Sequence, residues 1–119
     1  MRVKRGVKAR KRRNRVFKIA KGFRGRSNNT IRQATQRAEK SLTYAYRDRK
    51  AHKRGMRRLW VVRINASARL HDMSYSQFMF GLKSANVELD RKMLADLGAL
   101  HPEVFSAIAV SAKSQVASA

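Results

Sequence analysis

Of the first 69 residues, 25 are Lys or Arg and two, Glu39 and Asp48, are acidic, so this stretch carries +23. Nothing else in the chain constrains its folding as much. Long charged side chains are almost never fully buried without a partner, and self-repulsion opposes any compact state. Residues 70–119 differ: Lys83, Arg91, Lys92 and Lys113 stand against Asp72, Glu88, Asp90, Asp96 and Glu103, a balance of −1 within the total of +22. One part of the chain is a polycation that calls for an anionic partner, and the other has the charge of an ordinary small domain. A basic stretch of this density is the electrostatic footprint of nucleic-acid binding. Arg outnumbers Lys, 18 to 11. The planar Arg fork grips phosphate in two places and stacks on bases, which favours nucleic acid over a membrane surface.

The hydrophobic pattern points to helices throughout. Residues 1–26 include 13 Lys or Arg, and Val7, Val16, Phe17, Ile19 and Ala20 are too few to make a core. This segment is expected to form a helix near residues 8–20 once phosphate neutralises it, with Gly22 and Gly25 turning the chain. Thr30 and Gln33 have the spacing of a capping box. From there Ile31, Ala34, Ala38, Leu42 and Ala45 make one narrow helical stripe. The stripe fades over Tyr46–Gly55 and resumes at Met56, Leu59, Trp60, Ile64 and Ala68. One long helix from about Thr30 to Arg69 is predicted, with Gly55 as a bend. A helix that is polar on every side needs an external partner to persist, so its middle is expected to lie against RNA.

After Leu59 the pattern becomes globular. Ser74 and Gln77 form a second capping box, followed by Tyr75, Phe78, Met79 and Leu82. Asp90 suits the cap of a short helix carrying Met93, Leu94 and Leu97. Pro102 suits the first turn of a last helix with Val104, Phe105, Ile108, Ala109 and Ala112 facing inward. No alternating strand pattern competes. The fold class is therefore all-α. A basic helical extension is expected over residues 1–57 and a small helical domain over 58–119.

Catalytic chemistry finds no support. The chain has no cysteine, which excludes disulfides, thiolate catalysis and Cys-ligated zinc. His52, His71 and His101 lack metal-ligand spacing. Asp90 and Asp96 do not share a helical face. Ser74 and Ser76 lie in no nucleophile motif, and neither a P-loop nor a dinucleotide-binding glycine pattern occurs. No apolar run approaches the roughly 20 residues needed to span a bilayer, and no apolar segment of a secretory signal follows Met1–Arg15. No enzyme activity, cofactor, metal, membrane or small-molecule substrate is expected. A helix-turn-helix or dimeric architectural pattern, which would favour a DNA-binding protein, is not evident.

Six stretches carry a further signal: Arg2–Gly6 (RVKRG), Ala20–Arg26 (AKGFRGR), Ala45–Lys50 (AYRDRK), Leu59–Arg69 (LWVVRINASAR), Ser74–Lys83 (SYSQFMFGLK) and Glu88–Leu97 (ELDRKMLADL). Together and in this order they resemble the bacterial large-subunit ribosomal protein twenty family over nearly the whole chain. One departure is that Arg2 follows Met1 directly, where family members usually have an intervening residue. A second is the Ala- and Ser-rich tail after Phe105, which matches only loosely. The resemblance implies a structural, non-enzymatic constituent of the ribosome in the bacterial cytoplasm. It implies a long N-terminal extension threaded through large-subunit 23S rRNA, and a small C-terminal domain on the rRNA surface. A role in early subunit assembly and neighbouring ribosomal proteins as partners are implied as well. In some bacteria the family's C-terminal domain also binds the messenger of its own operon and represses translation.

The residues expected to touch RNA follow from the cations, the turn glycines and the interleaved aromatic rings, with Asn65 added because it lies between Arg63 and Arg69. In the extension they are Arg2, Lys4, Arg5, Lys8, Arg10, Lys11, Arg12, Arg13, Arg15 and Lys18. At the turn they are Lys21, Gly22, Phe23, Arg24, Gly25 and Arg26. Along the long helix they are Arg32, Arg37, Tyr46, Arg47, Arg49, Lys50, Lys53, Arg54, Arg57 and Arg58. In the small domain they are Arg63, Asn65, Arg69, Lys83, Arg91 and Lys92, where a folded surface holds donors in fixed geometry. Phe17 and Tyr44 are further rings that could stack on unpaired bases.

Overall fold

A computed structural model describes residue 4 and residues 6–117. It contains five α-helices: α1 (Lys8–Ile19), α2 (Ile31–Arg69), α3 (Tyr75–Ser84), α4 (Arg91–Leu100) and α5 (Pro102–Ala117). A short 3-10 turn lies at Gly25–Ser27. Among the described residues there is no strand, and the all-α expectation holds. The predicted long helix is α2, whose 39 residues begin one position after Thr30. Its helical backbone is uninterrupted through Gly55.

Local chemistry sets the ends of these helices. Gly22 and Gly25 take φ of +88° and +64°, a left-handed backbone that glycine enters without steric cost. They turn the chain between α1 and α2, as expected. The Thr30 hydroxyl donates to Asn29 Oδ1 at 3.3 Å just before α2. At the other end of α2 the Met73 amide donates to the Ala68 carbonyl and the Asp72 amide to the Arg69 carbonyl, at 3.1 and 3.2 Å, with Asp72 at φ 60°. This is a Schellman stop. α3 ends the same way: Val87 donates to Leu82, Asn86 donates to Lys83, and Asn86 sits at φ 56°. Asx side chains tolerate this conformation better than other non-glycine residues. The capping box of Ser74 and Gln77 is fully formed. The Asp90 carboxylate accepts from the Met93 amide at 2.8 Å. His101 is held at φ −134° by the proline that follows it, and Pro102 opens α5 with Glu103 in the first turn.

Backbone contacts group the chain into two units, Met1–Ala51 and His52–Ala119. In the first unit, burial is confined to small residues: Ala20, Ala34 and Ala38 are buried. Phe17, Phe23, Ile31 and Ala45 are half-buried, while Leu42 is exposed. The second unit has a true core of Ile64, Ala68, Met73, Phe78, Leu82, Leu94, Ala95, Phe105, Ala109 and Ala112. The Phe78 and Phe105 rings stack with centroids 5.0 Å apart. α3 lies so close to α5 that a Cβ at Gly81 would collide with the backbone carbonyl of Ala112. In this second unit three residues assigned inward from the sequence face solvent instead: Leu59, Met93 and Val104. Each precedes a residue that does turn inward (Trp60, Leu94, Phe105), and adjacent positions on a helix are about 100° apart. Trp60 packs against the core at its edge and remains half-buried.

Candidate nucleic-acid interface

α1 presents Lys8, Arg10, Lys11, Arg12, Arg13, Arg15 and Lys18, all exposed, on a helix without one buried residue. Lys4 is exposed as well. Arg2 and Arg5 lie outside the described residues. Lys21, Arg24 and Arg26 are exposed beside the left-handed glycines. No acid precedes Glu39 in the sequence.

The turn at Gly22–Ser27 lies against the first turns of α2 and borders an open concavity of about 460 Å³. Its walls are Gly22, Phe23, Arg24 and Ser27 on one side and Arg37, Lys40, Ser41 and Tyr44 on the other. The last four fall at i, i+3, i+4 and i+7, one face of a helix. Of these eight, Gly22, Phe23, Arg24 and Arg37 belong to the expected set. Tyr44 was expected only as a general stacking ring, and Lys40 was missed. Its signal was present, since Lys40 and Tyr44 continue the face that Arg37 begins.

Cations sit over the tyrosine rings. Lys40 Nζ lies 5.0 Å from the Tyr44 centroid and Arg47 Cζ 4.8 Å from it. Lys50 Nζ lies 4.3 Å from the Tyr46 centroid and donates to the Tyr46 hydroxyl at 2.8 Å. An exposed lysine–aromatic contact contributes about 0.5–1 kcal/mol, whereas a base stacked on an aromatic ring contributes about 1–3 kcal/mol. A stacked base would outcompete the lysine for the ring on these magnitudes. Arg47 is engaged within the protein: its Nε donates to Asp48 Oδ1 at 2.8 Å, and that hydrogen bond, with the carboxylate charge, raises the guanidinium above its ordinary value.

The middle of α2 is exposed on all sides from Tyr46 to Gly55. Arg49, Lys50, Lys53, Arg54, Arg57 and Arg58 give four like-charged pairs at i, i+4 (49–53, 50–54, 53–57 and 54–58). Each such pair destabilises an isolated helix by about 0.2–0.5 kcal/mol, and an anionic partner relieves all of them together. Arg32 is exposed near the start of the helix. In the second unit, Arg54, Arg57 and Arg58 border a shallow concavity with Val61 and Val62.

The six candidates of the small domain do not form one cluster. Lys83 and Arg91 flank a single concavity of about 410 Å³ with Phe80, Val87 and Leu89. Arg69 borders another, with Asp72 and Ser74. Arg63 and Lys92 are exposed. Two of the six already have structural partners. Asn65 Oδ1 accepts from the Tyr75 amide at 3.2 Å, at the first residue of α3, and Arg91 Nε donates to the Tyr75 hydroxyl at 3.0 Å. These contacts fix the two side chains in place, and the remaining guanidinium donors of Arg91 are still available.

Among the described residues no group of His, Cys, Asp and Glu is placed to hold a metal ion, and no helix is long and apolar enough to cross a membrane. The family model of Ribosomal protein L20 matches residues 2–108. The chain is 54% identical over 115 residues to the large ribosomal subunit protein bL20 of Pelobacter propionicus, covering 97% of this chain and 98% of the relative. It is 56% identical over 114 residues to the protein of that name from Geobacter sulfurreducens, covering 96% and 97%. The match to its counterpart from Magnetococcus marinus is 57% over 113 residues, covering 95% and 97%. A family match over residues 2–108 and more than half identity over nearly the full length leave one conclusion: the chain belongs to the ribosomal protein L20 family, a family of structural ribosomal proteins and not of enzymes.

Proposed function

We propose that the chain is a structural constituent of the bacterial large ribosomal subunit that binds 23S rRNA directly and supports early subunit assembly. The observation that carries this reading is the run of exposed cations Arg49, Lys50, Lys53, Arg54, Arg57 and Arg58 along one half of the α2 circumference, continuous in sequence with the polycation before it. Such a helix is in conflict with itself until phosphates surround it. The proposed division of labour is between residues 1–57, which follow RNA and screen closely packed phosphates, and residues 58–119, which recognise a defined RNA site. Arg63, Asn65, Arg69, Lys83, Arg91 and Lys92 are the proposed recognition residues of the second part. Neighbouring ribosomal proteins are further proposed partners. The small domain has a core of its own and so can act as a separate RNA-binding surface, and the messenger of the chain's own operon is its proposed regulatory target.

Salt dependence tests the reading. Each phosphate neutralised contributes about 0.7–0.9 to the slope of log affinity against log salt. Replacing Lys53, Arg54, Arg57 and Arg58 by Gln in the full-length chain is expected to flatten that slope on 23S rRNA by about 3. A slope unchanged by the four substitutions rejects α2 as an RNA-contacting helix.

A further inference from the structure

We propose that the cleft between the Gly22–Ser27 turn and the first turns of α2 receives a single unpaired RNA nucleotide, its base stacked on Tyr44 and its phosphate held by Arg24, Arg37 and Lys40. The proposal rests on the RNA-binding reading above and gives it a definite site.

Three features of the cleft support it. The volume of about 460 Å³ falls in the range of about 300–1,000 Å³ that accommodates a small organic ligand, so there is room for one nucleotide. The lining contains three cations and no acid, which selects an anionic occupant. Tyr44 is 45% exposed, and its ring is covered only by the mobile side chains of Lys40 and Arg47, which an incoming base would displace. Every base has a face that stacks on such a ring, whereas duplex RNA keeps its bases covered and offers them from loops and bulges.

Two finer details fit the same ligand. Gly22 has nothing within 4 Å of the position a Cβ would take, which lets a sugar–phosphate backbone approach the turn closely. The Ser41 hydroxyl donates to the Ala38 carbonyl at 2.9 Å. Its remaining capacity is that of an acceptor, which suits the amino group of a base.

Two RNA hairpins with the same stem serve as probes, one fully paired and one carrying a single bulged 2-aminopurine. The full-length chain is expected to bind the bulged hairpin more tightly by about 5- to 150-fold, the ratio one stacked base confers, with quenching of the 2-aminopurine fluorescence. Tyr44→Phe keeps that preference. Tyr44→Leu abolishes it, leaving affinity for the paired hairpin and helicity by circular dichroism unchanged. Equal affinity of the unsubstituted chain for the two hairpins overturns the proposal, while salt-dependent binding of both leaves the RNA-binding reading standing. Tyr44→Leu weakening both hairpins equally also overturns it. Binding to neither hairpin overturns the proposal and the reading beneath it.

Discussion

The unit up to Ala51 and the unit from His52 are both helical, yet different forces hold them. The first has 19 Lys or Arg against two acids, or +17, and the second has 10 against five, or +5. The first buries three alanines, whereas the second buries two stacked phenylalanines together with Ile64, Leu82, Leu94 and Met73. A fully buried large apolar side chain contributes about 1.5–3 kcal/mol and a methyl-sized group well under half of that. The difference teaches that helix content alone says little about autonomous stability. In the second unit the helices bury a core that can hold them, and in the first, with +17 and three buried alanines, they are expected to depend on relief of charge supplied from outside.

The sharpest way to break this comparison is to separate the units. A fragment spanning Met56–Ala119 is expected to be helical and to melt cooperatively without RNA, as about 60 residues with a contiguous core can. A fragment spanning Met1–Lys50 is expected to be largely unfolded at low salt and to gain helix when phosphate or RNA is added. Circular dichroism on both decides the matter. Stable helix in the isolated N-terminal fragment at low salt would mean that the alanine contacts suffice.

Within the second unit the largest single effect is expected at the stacked rings. Phe78→Ala removes a fully buried ring that stacks on Phe105, and a cost of about 3–5 kcal/mol is expected, enough to unfold so small a domain. Trp60→Ala should cost less, because Trp60 is only half-buried. Chemical denaturation of the Met56–Ala119 fragment ranks the two, and equal losses would place Trp60 in the core after all.

A smaller effect is expected at Gly81. The added methyl of Gly81→Ala meets the Ala112 backbone, which cannot rotate away as a side chain would. Overpacking of this kind costs about 1–3 kcal/mol, against the modest gain that alanine otherwise brings to a helix. Net stabilisation by thermal melting would show that α3 and α5 separate more readily than their close approach suggests.

Much of the protein was legible in its sequence. Local signals fixed the helices, since the capping residues Ser74 and Asp90, the turn glycines and Pro102 act through hydrogen bonds and dihedral limits of neighbouring residues. The charge imbalance, a property of composition, pointed to an anionic partner, and six short stretches pointed to the family. The tertiary structure alone decided which member of each adjacent apolar pair turns inward, because helical spacing leaves about 100° of rotation open until the opposing helix is in place. That is how Leu59, Met93 and Val104 came to face solvent. It alone brought the Gly22–Ser27 turn against Arg37, Lys40 and Tyr44, since a cleft between segments ten or more residues apart has no local signature. It also gave Asn65 and Arg91 their shared partner Tyr75, and it left Gly81 no room for a side chain, because both depend on how closely helices approach through space.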